Sequence, residues 1–264
     1  MRVRRPPVPV SALVRLARRG VSRLHRAAPA PARGLSTAAA GLPAETMGRL
    51  TAHMNRLSDA ERRALDPTTH PRDFRQPDDT SCGAASLVVS RMLNDQPYAI
   101  WLTTGYDPHT DRSDQAALQD RWRAEVLATH RRVTSLRDHD GDLQWPWLRV
   151  VGTSPWGAAR QMTGEGGSGV PGARYSARTL DPDDLLTEFD RVLAAVEAGH
   201  TVPLYVGDEV RPAHVVLAVR TRSDGLEFFE PSAGRLVRVA RDAFAAGRFT
   251  LGGWSVPWFA VLPR

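Results

Sequence analysis

The sequence contains no lysine: all 35 basic residues among its 264 are arginine. This absence excludes a pyridoxal-phosphate Schiff base, a phosphate-loop lysine and a serine–lysine dyad, because each of them needs a lysine amine. The chain has only 1 cysteine, which excludes an internal disulfide and a cysteine-based zinc finger. No apolar run approaches the roughly 18 residues of a membrane span, so the sequence predicts no transmembrane segment.

Positive charge is concentrated at the beginning of the chain. Residues 1–34 hold nine arginines and no acid, whereas the remaining 230 residues hold 26 arginines and 29 acids. Residues 1–34 can therefore make weak contact with an anionic surface, but we expect no nucleic-acid binding by the slightly acidic folded domain. The apolar patch from Pro9 to Ala17 is interrupted by Arg15, unlike the core of a secretory signal, so a cytoplasmic location is favoured.

Composition and periodicity divide the chain into three parts. Residues 1–43 are rich in arginine, alanine and proline, which predicts a disordered tail and linker that packs little against the rest. Residues 44–68 predict a helical extension, because apolar side chains recur at helical intervals up to Asp66-Pro67. Residues 69–264 are long enough for one domain.

The predicted domain places helices first and strands afterwards. Apolar stripes predict helices over 82–93, 113–132 and 183–198. Short β-branched or aromatic runs, separated by turn residues, predict strands at 202–206, 214–219, 226–229, 236–239 and 258–261. This order is typical of an α+β fold with an antiparallel sheet.

Three other patterns are interpreted as ordinary surface or core features. Gly164, Gly166 and Gly169 have dinucleotide-binding spacing, but Val170-Pro171-Gly172 follow where a helix must start. The aspartates 138, 140 and 142 lack the glutamate that completes a calcium loop. The eight histidines show no paired metal-ligand spacing, so we expect no metal and no cofactor.

The most informative segment runs from Gln76 to Gly83 (QPDDTSCG). Cys82 stands between a polar turn and an apolar helix, where the helix N-terminus stabilises a thiolate. Ser81 or Thr80 can cap this helix, and the amide of Gln76 can join the Cys82 backbone N–H in holding an oxyanion. The spacing favours a nucleophile over a buried structural thiol.

A thiolate nucleophile needs a proton carrier and a group that orients it. His214 begins one predicted strand and Glu230 ends the next, so antiparallel pairing brings them together. His214 can then face Cys82 on one side and Glu230 on the other, as in a catalytic triad. Asp208 and Asp224 are the alternative orienting acids, but both lie in predicted turns.

These residues resemble the papain-like cysteine peptidases, and most of all the bacterial double-glycine-leader (bacteriocin-processing) peptidases and their stand-alone relatives. The resemblance covers about residues 70–264 and rests on Gln76…Cys82-Gly83, His214-Val215-Val216 and the acid-Pro-x-x-Gly of Glu230 to Gly234. It implies a papain-like fold in which the nucleophile helix packs on the C-terminal sheet. It also implies that Cys82 is the nucleophile, His214 the base and acid, Gln76 the oxyanion donor, and Glu230 the residue that orients the histidine.

Two departures from that family limit what the resemblance implies. The family usually has aspartate where this chain has Glu230, and the transporter that follows the leader-processing peptidases is not in these residues, so the double-glycine substrate is not implied. The Trp122 helix and the stretch from Trp145 to Trp156 are expected to cover or shape the cleft.

The sequence therefore predicts a thiol hydrolase that acts on a peptide or protein substrate through an acyl-enzyme at Cys82. One alternative is an acyltransferase or transglutaminase-like enzyme with the same triad, because hydrolysis and transfer share the first half-reaction. The other is a catalytically silent peptide-binding domain, which the Glu230 departure supports.

Overall fold

The computed structural model describes residues 12, 14–15, 17–19, 42–144 and 152–264. It combines helices with an antiparallel sheet, which confirms the predicted α+β class. The helices are α1 (Ala44–Arg56), α2 (Asp59–Ala64), α3 (Cys82–Asn94), α4 (Gln96–Thr104), α5 (Leu118–Thr134), α6 (Pro155–Met162), α7 (Leu185–Glu197) and α8 (Arg241–Ala245). The strands are β1 (Tyr106–Asp107), β2 (Arg112–Ser113), β3 (Tyr175–Thr179), β4 (Val202–Gly207), β5 (Pro212–Arg222), β6 (Gly225–Glu230), β7 (Arg235–Ala240) and β8 (Val256–Pro263).

Strands β3 to β8 form one sheet in the order β3-β8-β4-β5-β6-β7, and each neighbouring pair is antiparallel. Helix α3 packs on one face, where Val88 shares an apolar cluster with Leu217 and Phe229. Helix α7 packs on the other face, where Phe189 shares a cluster with Val216. Successive strand side chains point to opposite faces, so the apolar run of β5 supplies both cores and is fully buried.

The helical extension predicted over 44–68 contains two helices, α1 and α2. Ser58 separates them, because its hydroxyl accepts the Glu61 backbone N–H at 3.3 Å while the Glu61 carboxylate accepts the Ser58 N–H at 2.8 Å. This capping box starts a new helix inside an apolar pattern that is continuous in sequence.

Several elements have no counterpart in the sequence prediction, among them α4, α6 and β3. Helix α4 is apolar on most sides, so it shows no amphipathic stripe, and it begins where the Asp95 side chain caps the Tyr98 N–H at 3.1 Å. Helix α6 begins in the same way at Ser154, and strand β3 is short and polar. Tertiary packing decides such segments more than local pattern does.

The described residues of the N-terminal segment contact the domain. The Arg18 guanidinium lies 4.4 Å from the centre of the Trp258 ring and donates hydrogen bonds to the carbonyls of Leu180, at 3.3 Å, and Pro257. Val14 packs against an apolar cluster that contains Trp258. Composition alone predicts little packing of this segment. The contact forms because an arginine can be buried when its guanidinium stacks on an aromatic ring.

The rest of residues 1–43, and the predicted cleft-covering residues 145–151, lie outside the described part of the chain. Within that part, no helix is long and apolar enough to cross a membrane. The described residues also contain no cluster of three or more side chains suited to holding a metal ion.

Candidate active site

Cys82 is the first residue of helix α3. The N-cap residue, Ser81, makes no side-chain cap bond; its hydroxyl instead donates to the Asp78 carbonyl at 3.1 Å. The expected capping by Ser81 is therefore not what the structure has. Because the Ser81 side chain does not cap them, the N–H groups of the first turn keep their electrostatic influence on the Cys82 side chain.

Cys82 is 7% exposed and belongs to an apolar cluster with Leu87, Tyr205 and Val215. A nucleophile is expected to line a cleft open to solvent, and the observed burial of Cys82 is greater than that. The physical reason lies in two neighbours, strand β5 and the segment that leads into α6, which pack over the start of α3. Thr153 of that segment sits so close to Gly83 that a Cβ at Gly83 would lie 2.6 Å from the Thr153 Cβ.

His214 and Glu230 occupy facing ends of the adjacent strands β5 and β6. The register pairs Leu217 with Phe229, so the start of one strand lies beside the end of the other. The His214 Nε2–H donates to the Glu230 Oε1 at 2.8 Å, and both residues are buried. The antiparallel hairpin thus produces the contact that the sequence predicted.

The Glu230 carboxylate accepts several further hydrogen bonds. Oε1 also accepts from the backbone N–H and the hydroxyl of Ser232, at 2.9 and 2.6 Å, and Oε2 accepts the Ala233 N–H at 3.0 Å. Burial by itself raises the pKa of this carboxyl, but the bonds from His214 and Ser232 outweigh it and lower the pKa to about 2. Glu230 is therefore an anion with a fixed orientation across the whole physiological range.

The side chain of Cys82 is a second neighbour of the His214 imidazole, and it helps to raise the pKa of this histidine. Since Nε2 is bonded to Glu230, Nδ1 is the nitrogen left for the sulfur. Burial alone lowers the pKa of His214, but the bonds and charges of Cys82 and Glu230 prevail and raise it to about 9. The structure therefore places His214 between Cys82 and Glu230, and the imidazole is a cation at neutral pH.

Gln76 lies beside the end of β6, because its backbone N–H donates to the Pro231 carbonyl at 2.9 Å. Its side-chain Nε2 donates to the Asp78 carbonyl at 2.7 Å, and its Oε1 is buried without a hydrogen-bond partner among the described residues. The described hydrogen bonds therefore tie the amide to the turn before Cys82 and not to Cys82 itself. The described hydrogen bonds use one N–H of the amide group and not the second.

The alternative orienting acids make other contacts. The Asp208 carboxylate accepts the backbone N–H groups of Val210 and Arg211, each at 2.8 Å. Asp224 pairs with Arg238 at the surface, with 2.8 Å between its Oδ1 and the arginine Nε. Both aspartates stabilise turns, which leaves Glu230 as the acid that holds the histidine.

Two contacts of the site have no sequence prediction. A Cβ at Gly252 would lie 2.4 Å from the Cδ2 of His214, so this glycine lies directly against the imidazole. The hydroxyl of Thr153, which lies over Gly83, is buried without a partner among the described residues. The pair Gly252-Gly253 is a turn signal in the sequence, but nothing in the sequence says which side chain the turn approaches.

Comparison with known proteins adds no family assignment. No protein-family model matches the chain, and no curated protein is significantly similar to it in sequence. The resemblance to papain-like peptidases therefore depends on the short motifs around Cys82, His214 and Glu230.

Proposed function

We propose that this protein is a cysteine hydrolase that cleaves a peptide or amide bond through an acyl-enzyme at Cys82. The observation that carries the proposal is the placement of His214 between Cys82, which helps to raise its pKa, and Glu230, with 2.8 Å between the His214 Nε2 and the Glu230 Oε1. A nucleophile, a proton carrier and an orienting acid in this order are what acyl transfer requires.

The residues divide the reaction into two steps. In the first, the Cys82 thiolate attacks the substrate carbonyl carbon and forms a tetrahedral oxyanion. As this oxyanion collapses, the C–N bond breaks and the His214 imidazolium donates its proton to the departing amine. In the second, the now neutral imidazole takes a proton from water, whose oxygen attacks the thioester carbonyl and releases the acid with the sulfur as leaving group. Each step begins from the protonation state that the previous one leaves.

The protonation of His214 supports this sequence of events. Its pKa of about 9 means that the acid needed for the first step is present at neutral pH. The buried carboxylate of Glu230 stabilises that cation and fixes the ring plane. Without Cys82 and Glu230 beside it, a histidine with the ordinary pKa of 6.5 would be largely neutral at pH 7.

The developing oxyanion has donors close by. The Cys82 backbone N–H lies in the first turn of α3, where no helix carbonyl accepts it, and the second N–H of Gln76 is the other candidate. Nucleophile at a helix start and histidine with its acid on an antiparallel sheet are also the arrangement that the papain-like resemblance implies.

One observation favours the alternative of a silent peptide-binding domain. Cys82 is only 7% exposed, whereas a nucleophile has to meet its substrate. The alternative of an acyltransferase or transglutaminase-like enzyme has no contact of its own in its favour, because it uses the same three residues.

The test is the rate at which iodoacetamide alkylates Cys82. Because the chain has 1 cysteine, every label reports this residue, and the same chain unfolded in guanidinium supplies the unperturbed thiol. We expect the folded protein to react faster than the unfolded chain at neutral pH, and His214→Ala to remove the difference. A folded protein that reacts more slowly than its unfolded chain, with no effect of His214→Ala, would favour the silent domain. Release of amine from a peptide library, with and without an added amine acceptor, then separates hydrolysis from transfer.

A further inference from the structure

The imidazole of His214 is bounded by a glycine that lies far from it in sequence. A Cβ built on Gly252 would lie 2.4 Å from the Cδ2 and 2.6 Å from the Nε2 of His214. Real Cβ atoms do not approach other atoms so closely, so only a residue without a side chain fits at position 252. The edge of the ring that it contacts carries the nitrogen that donates to Glu230.

The backbone of the turn makes glycine necessary for a second reason. Gly252 and Gly253 have φ angles of +59° and +89° and join residues that pair as an isolated bridge, Leu251 with Trp254. Leu251 donates to the Trp254 carbonyl at 2.8 Å and accepts from its N–H at 3.0 Å. These are the features of a two-residue type I′ turn, which demands left-handed backbone at both central positions.

The turn is anchored in the apolar core by the residues on either side of its two glycines. Leu251 is fully buried and Trp254 packs against the same apolar cluster, between the sheet and α7. The turn therefore cannot recede from the imidazole without pulling two apolar side chains out of the core.

From these contacts we propose that Gly252 is a positioning residue for His214: the anchored turn holds the imidazole in the plane in which Nε2 meets Glu230 and Nδ1 meets Cys82. This inference rests on the proposed function, because it concerns the geometry of the same triad. A ring with space behind it could tilt away from both partners, whereas contact with Gly252 restricts that motion.

The neighbouring glycine supplies a matched control. Gly253 is also left-handed, but a Cβ there would meet no atom within 4 Å. Gly253→Ala therefore imposes the same kind of backbone strain as Gly252→Ala without touching the imidazole. Differences between the two variants report the contact with His214 alone.

The experiment measures the His214 ring in both variants by NMR titration, together with the alkylation rate of Cys82 by iodoacetamide. For Gly252→Ala we expect the His214 titration midpoint to fall from about 9 towards the ordinary value of 6.5, and alkylation at neutral pH to slow by about 10–100-fold. For Gly253→Ala we expect a lower melting temperature, with midpoint and alkylation rate as in the wild type. Equal midpoints in all three proteins would overturn the inference.

Two further measurements keep the test decisive. If Gly252→Ala does not fold, the first of these measurements, made on the wild-type protein, decides the inference. In the wild type, a Gly252 Hα should show a nuclear Overhauser contact to the His214 Hδ2, and the lack of that contact would also overturn the inference. A wild-type Cys82 that reacts no faster than the unfolded chain would instead reject the proposed function, while the His214 midpoints still decide the role of Gly252.

Discussion

The imidazole of His214 donates to the carboxylate of Glu230 at 2.8 Å, and the two residues lie 16 positions apart on adjacent antiparallel strands. The bond joins a buried cation to a buried anion, and the carboxylate accepts three more hydrogen bonds from Ser232 and Ala233. A buried ion pair of this kind is held in place only when its remaining lone pairs are satisfied. Here four hydrogen bonds, counting the one from His214, hold the carboxylate, so the hairpin and the turn after it fix the acid that faces the imidazole.

Glu230→Gln should lower the pH at which activity is lost on the alkaline side. The neutral amide cannot stabilise the imidazolium, so the pKa of His214 falls from about 9 and the acid form disappears earlier. An amide nitrogen would also face the Ala233 N–H in place of Oε2, which removes a hydrogen bond. We expect the rate to fall by about tenfold or more, measured as a pH–rate profile with a peptide substrate.

The control for that variant is Glu227→Gln. Glu227 lies on the same strand and pairs with Arg220 and Arg222, so the substitution removes the same charge away from the histidine. If the alkaline limb of the pH–rate profile moves by the same amount in both variants, the loss of one negative charge explains the shift, and the contact with His214 does not.

His214→Ala should lower activity further than Glu230→Gln does. The variant has no group to protonate the leaving amine or to deprotonate water, and each of these transfers contributes about 10²–10⁴-fold. It also leaves the Glu230 carboxylate buried without its cation, so the far-UV circular dichroism must show that the variant is folded at the assay temperature. Retention of wild-type activity in a folded His214→Ala protein would contradict the proposed mechanism.

The triad should also make stability depend on pH in two windows. The pKa of His214 is raised from 6.5 to about 9, so its stabilisation is complete below pH 6.5 and is lost as the pH rises towards 9. The pKa of Glu230 is lowered from 4.5 to about 2, so its stabilisation is complete above pH 4.5 and is lost as the pH falls towards 2. Urea midpoints across both windows should show these slopes, and a His214→Ala, Glu230→Gln double variant should flatten them. Parallel curves for the two proteins would show that other groups cause the pH dependence.

The sequence predicted the part of the site that depends on local pattern. Cys82 stands where a polar turn meets an apolar helix, and His214 and Glu230 stand at strand ends that a short hairpin brings together. Element ends are defined by nearby residues, so their chemistry can be interpreted from a few positions. The α+β class follows for the same reason, since most helices and strands carry their own periodicity.

The contacts that the sequence did not predict depend on packing between distant segments. Gly252 meets His214 only because a turn before β8 folds over the start of β5, and Thr153 meets Gly83 only because α6 lies beside α3. The docking of Arg18 on Trp258 is of the same kind, because both the ring and its accepting carbonyls belong to other elements. Such contacts leave no periodicity in the sequence.

Gly83→Ala should destabilise the protein even though alanine favours helices. A Cβ at this position would lie 2.6 Å from the Thr153 Cβ, and overpacking a buried contact costs about 1–3 kcal/mol. Gly48→Ala in α1 is the control, because a Cβ there meets nothing within 4 Å and should stabilise by about 0.5–1 kcal/mol. In urea unfolding, we expect Gly83→Ala to lower the free energy of unfolding and Gly48→Ala to raise it. If both substitutions raise it, the segment over α3 moves aside without cost.

The last prediction concerns the N-terminal segment, where structure and composition lead to different expectations. Arg18 is 7% exposed, stacks on Trp258 and donates hydrogen bonds to two backbone carbonyls. Arg18→Ala removes the stacking and both hydrogen bonds, so we expect it to lower the melting temperature. Loss of a desolvated cation–π contact alone costs about 2 kcal/mol or more, and each kcal/mol lowers the melting temperature of a domain of this size by about 2–4 °C.

Arg15→Ala is the matched control for that substitution. Arg15 belongs to the same segment, but its ion pair with Glu209, at 3.3 Å, joins side chains that are 49% and 55% exposed. Exposed pairs of this kind contribute little, so its melting temperature should stay close to that of the wild type and be insensitive to added salt. Deletion of residues 1–40 should then lower the melting temperature at least as much as Arg18→Ala does. If the deletion and both substitutions leave it unchanged, the segment contributes nothing to the stability of the domain, and the expectation drawn from composition holds.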